Sequence, residues 1–204
     1  RREVAILISD LRRFTPLAES LSPEATISLL NRYFAAMIEV IQQHRGIIVD
    51  FFGDGILVFF DPWNGAVAPA VERAVRCAIE MQRAMERFRT EIQAEQVPQL
   101  EMGIGVNAGE VVVGNIGSET RAKYGIVGSA VNITQRIQTL AEGGEVVISE
   151  TVYRYIQAKV KIKATLRVQL KGVQQPVTLY KVDRFADIPL SPALGNAEKP
   201  TASG

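Results

Sequence analysis

The chain has 204 residues, which is the size of one domain. Hydrophobic residues make up 47% and charged residues 22%, enough for a sizeable core. Lys and Arg number 23 against 22 Asp and Glu, a formal charge of +1. That balance argues against a nucleic-acid binder or an anionic-membrane binder, and leaves room for a small anionic ligand met by a few cations. The single cysteine, Cys77, excludes an internal disulfide framework and multi-cysteine zinc sites. The single histidine, His44, leaves little material for a histidine-based triad or a multi-histidine metal site. No apolar run approaches about 20 residues, and no signal peptide is visible. A strand-like run begins almost at once, as in a module of a longer protein, and the expected location is cytoplasmic.

In chain order, Glu3 to Ser9 is a branched apolar run read as a buried strand ending at Asp10. Ser22-Pro23-Glu24 marks a helix start, with a cap residue and proline in the first turn. Ile27, Leu30, Phe34, Met37, Ile38 and Ile41 form its stripe, and Gly46 ends it. Ile47 to Phe52 and Ile56 to Phe60, split by Gly53-Asp54-Gly55, predict a β-hairpin. Ala70 to Glu95 predicts a long amphipathic helix, ended by Pro98. Met102 to Ala108 and Val111 to Ile116 predict a strand pair turning at Gly109-Glu110. A helix is expected over Gly128 to Leu140, a strand over Val146 to Ser149 and a short helix over Thr151 to Gln157. Val160 to Leu170 and Val177 to Phe185 predict closing strands. The order is βαββαβ with additions, an α/β (α+β) plan with a ferredoxin-like core and an extended antiparallel sheet. The domain is placed at residues 1–185. A disordered tail is expected over 186–204, where Pro, Ser, Ala and Gly dominate.

No phosphate-loop signature is present, and Gly103-Ile104-Gly105-Val106-Asn107-Ala108-Gly109 misses the dinucleotide spacing. The informative acids are Asp10, at the end of the first strand, and Asp54, in the hairpin turn. In a βαββαβ sheet these ends converge, and paired carboxylates suit Mg²⁺ or Mn²⁺. By spacing alone, a strand-end acid and an ordinary Asp-Gly turn are the favoured reading, and the metal seat is the alternative. The amides of Leu11 to Thr15 follow, placed to hold polyphosphate where a turn or helix begins. Strict alternation puts Asp50 on one sheet face between Ile48 and Phe52, costly without a partner or ligand. Asn132 and Arg136 are four apart on a predicted helix, hence on one face, and suit a ribose and a phosphate. Lys171, in Leu170-Lys171-Gly172, follows a strand.

Together these segments resemble the class III nucleotidyl cyclase catalytic domain of adenylyl and guanylyl cyclases, in its bacterial homodimeric form. The resemblance runs from about Glu3 to Phe185. It is carried by Ser9-Asp10-Leu11-Arg12-Arg13-Phe14-Thr15, Phe51-Phe52-Gly53-Asp54, Val131-Asn132 through Arg136, and Leu170-Lys171-Gly172. It implies that Asp10 and Asp54 bind two divalent metals, Mg²⁺ or Mn²⁺, at each active site. One would activate the ribose 3′-hydroxyl and the other would hold the triphosphate. Asn132 would orient the ribose, and Arg136 would stabilise the α-phosphoryl transition state. Lys171, with the turn at Phe14 and Thr15, would bind phosphate, and Lys123 would join them. The resemblance also implies a homodimer with two sites at its interface, each built from both chains. The family usually has glycine where Arg13 stands; if that backbone needs positive φ, Arg13 carries strain.

Adenylyl cyclases typically place lysine at the position of Asp50, with aspartate or threonine at that of Gly125; guanylyl cyclases place an acid at the first. A carboxylate accepts from guanine's N1 and N2 donors and repels adenine's N1 lone pair. Gly125 neither reads adenine's amino group nor blocks guanine's carbonyl. The expected substrate is therefore GTP, giving cyclic GMP. ATP with a divergent base pocket is the alternative, and an inactive regulatory or dimerising domain a further one. A diguanylate cyclase does not fit, because the hairpin reads Phe-Gly-Asp-Gly.

Overall fold

The computed structural model describes residues 1–95, 97 and 99–188. Fourteen elements follow one another: β1 (Arg2–Arg12), α1 (Phe14–Ser20), α2 (Pro23–Gln43), β2 (Ile47–Phe52), β3 (Gly55–Phe60), α3 (Val67–Gln93), β4 (Glu101–Ser118), β5 (Arg121–Val127), α4 (Ser129–Thr139), β6 (Val146–Ser149), α5 (Glu150–Ile156), β7 (Val160–Val168) and β8 (Val177–Phe185), with one 3₁₀ turn at Trp63–Gly65. The expected helix end at Pro98 and the tail beyond residue 188 lie outside the described residues.

The sheet order is β2-β3-β1-β4-β6-β8-β7, with β5 pairing on β4. All neighbours are antiparallel except β4 and β6. β1 is central, flanked by β3 and β4, so its apolar run is buried on both faces. Ala5, Leu7 and Leu11 face the large core beneath α2 and α3. Val4, Ile6 and Ile8 face a smaller core with Phe59, Val111, Ile126 and Ala130. Ser22 caps α2 as expected, its hydroxyl accepting from the Ala25 amide at 3.1 Å. Cys77 is buried in α3, and burial pushes its thiol pKa up, away from reactivity. Among the described residues no helix is long and apolar enough to cross a membrane.

Two expectations are corrected. First, the chain does not turn at Gly109-Glu110. β4 runs straight through, pairing Gly109 with Val4 and Glu110 with Glu3 on β1. The glycines serve close packing instead. A Cβ on Gly109 would lie 2.7 Å from the Cβ of Ala130, and one on Gly105 would lie 2.7 Å from the Gln138 amide. Small residues on β4 thus let α4 lie close against the sheet. The true hairpin is β4 with β5, closing after Ser118 paired with Arg121. β5 escapes an apolar-pattern reading because Arg121 to Tyr124 are all exposed.

Second, strict alternation fails in β2. A bulge lies between Ile48 and Asp50. Ile48 still packs on the large core, while Ile47 and Val49 join the smaller one. Phe51 packs edge-on against Phe34 of α2, ring centroids 5.0 Å apart. Ile48, Asp50 and Phe52 therefore do not form one row, and Asp50 turns toward β5.

Candidate active site

The β1–β3 register pairs Ser9 with Ile56, so Asp10 and Asp54 arrive at the same sheet end. Gly53 turns the hairpin there with φ +62°, a conformation glycine adopts without a Cβ clash. Asp54 lies close enough to act on the Asp10 carboxyl. Burial, followed by the nearby Asp54, pushes the Asp10 pKa from 3.8 to about 7. Oδ1 of Asp10 is buried and meets no donor. Crowded acids with an orphaned oxygen are the donor set a hard divalent cation satisfies. Among the described residues no third acid, histidine or cysteine completes a cluster. The remaining positions around a metal at this pair would fall to phosphate oxygens and water.

Tyr33 of α2 is fully buried nearby. Its hydroxyl donates to Met102 Sδ at 3.0 Å, and burial, with the charges of Asp10 and Asp54, pushes its pKa up. It stays a neutral phenol. Arg12 lies on the same face of β1 as Asp10. Its Nε donates to the Ala141 carbonyl at 2.8 Å and its Nη2 to the Gln138 carbonyl at 2.6 Å. Those carbonyls end α4, so Arg12 caps that helix and ties it to the acid-bearing strand. Its two-residue spacing from Asp10 was the available signal for this contact.

Arg13 precedes α1 with φ 57° and ψ 30°, so the position does need the left-handed conformation that glycine adopts freely. Phe14 packs against the large core and offers this turn its amide, while Thr15 is exposed. Arg13→Gly is expected to raise Tm by about 1–3 °C, since relief of strain outweighs the added chain entropy. A thermal melt showing a fall would refute strain at Arg13.

On α4, Asn132 is exposed and Arg136 lies one turn on. A Cβ on Gly172 would sit 2.9 Å from Arg136 Nη1, so the Lys171-Gly172 turn passes against this guanidinium. Gly172 has φ +82°. Arg136 and the turn bearing Lys171 are thus neighbours, though 35 positions separate Arg136 from Lys171. The third group is on β2 and β5. Lys123 Nζ lies 2.7 Å from Asp50 Oδ2, and both are half exposed. Lys123, expected among the phosphate ligands, has this carboxylate as its partner. Gly125 lies two residues from Lys123 on the same strand, and a Cβ there would approach Ile116 Cδ1 at 3.2 Å and Val49 Cγ1 at 3.5 Å.

Comparison with known proteins gives these groups a family. The model of the Adenylate and Guanylate cyclase catalytic domain matches residues 1–184. The chain belongs to this family. It is 31% identical over 186 residues to Adenylate cyclase 1 of Rhizobium meliloti (strain 1021), covering 89% of this chain and 28% of that relative. The cyclase chain thus spans less than a third of that relative's length. Its fold is similar to the crystal structure of the guanylyl cyclase Cya2, with TM-score 0.86, 44% identity, and coverage of 91% of this chain and 94% of that one. It is also similar to the adenylyl cyclase CyaB from P. aeruginosa, with TM-score 0.87, 34% identity, and coverage of 92% and 97%. The cyclase chain is therefore a class III nucleotidyl cyclase domain, and its relatives include both adenylyl and guanylyl enzymes.

Proposed function

We propose that this domain works as a homodimer that converts GTP to cyclic GMP and pyrophosphate. The reaction joins the ribose 3′-oxygen to the α-phosphorus. The bond from that phosphorus to the bridging oxygen breaks, pyrophosphate leaves, and the 3′-hydroxyl proton is lost. Asp10 and Asp54 hold the divalent cations, Mg²⁺ or Mn²⁺. When bound, these supply positive charge that acidifies the hydroxyl and neutralises the phosphates. Asn132 hydrogen-bonds the ribose and fixes the direction of attack. Arg136 donates to the α-phosphoryl oxygens as charge gathers there. Lys171 and the amides of Phe14 and Thr15 take the terminal phosphates.

Each site takes its acids from one protomer and its Asn132, Arg136 and Lys171 from the partner. The β4–β5 arm supports a dimer: Val112, Ile116, Tyr124 and Val127 are large apolar residues left exposed, Val127 by 55%. A second copy is the occupant that completes the site.

Guanine is preferred because Asp50 is an acid where adenylyl cyclases typically place lysine, and Gly125 carries no side chain. The 44% identity to a protein named a guanylyl cyclase supports this reading. The names of the Rhizobium and P. aeruginosa relatives favour ATP as the second reading. Initial rates with equal GTP and ATP, under Mg²⁺ and under Mn²⁺, test it. GTP is expected to turn over faster with both metals. Faster turnover of ATP would overturn the guanine assignment and leave the cyclase reading intact.

A further inference from the structure

Arg12 has no part in the reaction described above, yet it holds the end of the helix that carries two of the reacting groups. Its Nε donates to the Ala141 carbonyl at 2.8 Å and its Nη2 to the Gln138 carbonyl at 2.6 Å. Arg136 is in the last turn of α4, and Gln138 follows it closely in that turn. The guanidinium therefore grips the turn that bears Arg136. Asn132 is one turn further back, about 6 Å along the axis.

The helix does not need this contact to close. The Ala141 amide already donates to the Gln138 carbonyl at 3.0 Å, and the Leu140 amide to that of Ile137 at 3.1 Å. Arg12 adds a second donor to a carbonyl that has one. The slot for it is built into the sheet. Gly103 of β4 stands opposite Asp10. A Cβ there would collide with the Arg12 guanidinium and would lie 2.6 Å from the Ala141 carbonyl oxygen. Gln138 adds to the same seam, its Nε2 donating to the Gly103 carbonyl at 3.2 Å. A planar fork that bridges two carbonyls through such a slot fixes where the helix end lies on the sheet, which a local cap does not do.

Asp10 and Arg12 share one face of β1. In the shared-site reading above, on which this inference rests, they do not serve the same site. Asp10 belongs to one site, and the α4 that Arg12 holds lends Asn132 and Arg136 to the other. We propose that Arg12 is a positioning residue for the reaction at the opposite site, holding α4 so that Asn132 and Arg136 meet the substrate seated on the partner's acids. It acts through the helix, without contact to substrate. Misplacing a reacting group by about 1 Å costs on the order of 10²-fold in rate, so a clamp beside Arg136 has a large effect on turnover.

The rival explanation is a local one. The charge of Arg12 also acts on Asp10, against the burial and the nearby Asp54 that raise its pKa. Mixed dimers separate the two. A dimer of one Asp54→Asn chain and one Arg136→Ala chain, isolated with two tags, has a single complete site. That site takes its acids from the Arg136→Ala chain and its α4 from the Asp54→Asn chain. Arg12→Met is then added to one chain or to the other, and both arrangements carry the same number of altered chains. On the Asp54→Asn chain it is expected to lower kcat about 10- to 100-fold, with KM within about threefold. On the Arg136→Ala chain it is expected to change kcat by less than about twofold. Arg12→Lys keeps the charge beside Asp10 without the fork, and its smaller loss should fall on the same chain. It supplies the comparison if the methionine variant does not fold. A loss that follows the Arg136→Ala chain would assign Arg12 to its own metal seat and overturn the proposal. Equal loss in both arrangements would make it a general brace, and no loss would make it a bystander; either overturns it. An inactive control dimer with Arg12 intact would defeat the shared site itself, and the cross-site role with it. A loss on the wrong chain in an active control defeats the positioning role alone.

Discussion

Asp54→Asn is expected to lower kcat by about 10³-fold, roughly 4 kcal/mol of barrier, with the fold retained. Asparagine keeps the size of the side chain and removes a charge from the proposed cation seat at the β1–β3 end. A second readout separates metal loss from misfolding. In the metal-free wild type, Asp10 binds its proton more tightly when folded, its pKa being raised from 3.8 to about 7. The folded state is therefore favoured below the lower value, and that contribution is lost as pH rises through the upper one. Divalent cation should replace the lost proton, so Mg²⁺ or Mn²⁺ should raise Tm more at pH 8 than at pH 5. Asp54→Asn should abolish most of this pH-dependent metal effect. A variant that kept both its turnover and its metal-dependent melting would remove Asp54 from the site.

Arg136→Ala is expected to lower kcat by about 10²–10³-fold while KM changes far less, since the role proposed for its charge is exerted in the transition state. The guanidinium lies against Gly172, so truncation leaves no buried partner unpaired and the fold should hold. Combining the two variants tests the shared site. In a mixed dimer of Asp54→Asn and Arg136→Ala, one site carries both lesions and the other carries neither. Equal mixing of chains should restore about a quarter of wild-type activity from two inactive parents. A mixture that forms mixed dimers, verified by differential tags, and stays inactive would show that each site is built from a single chain.

The parts legible in the sequence were those governed by neighbours along the chain. Ser22 caps α2 because a serine followed by proline dictates that start locally. The β2–β3 hairpin and the convergence of Asp10 with Asp54 followed from strand periodicity and one turn glycine. The strain at Arg13 was also foreseeable, once a motif position that favours glycine was seen to hold arginine. The supposed turn at Gly109 failed because glycine serves two purposes, and only the packing of Ala130 shows which one applies. β5 was missed because its exposed side chains carry no periodic apolar signal, its pairing with β4 being made by backbone.

The sequence by itself determined one domain of nearly balanced charge, and its four motifs in order, through their resemblance to the cyclase family, singled out two acids, an Asn/Arg pair and a lysine turn. It could do so because short-range periodicity sets which element carries each residue, and local motifs need no tertiary contact to be read. Only the tertiary structure decided that Arg12 holds the end of α4, that Arg136 rests on the Gly172 turn, and that Lys123 belongs with Asp50. Each of these depends on contacts across many residues. In the last case it also depends on a single-residue bulge that reverses which way an acid points. Balanced charge, which at first only excluded partners, is thereby sorted in space into paired acids at the β1–β3 end, a guanidinium against the Gly172 turn, and an ion pair between β2 and β5.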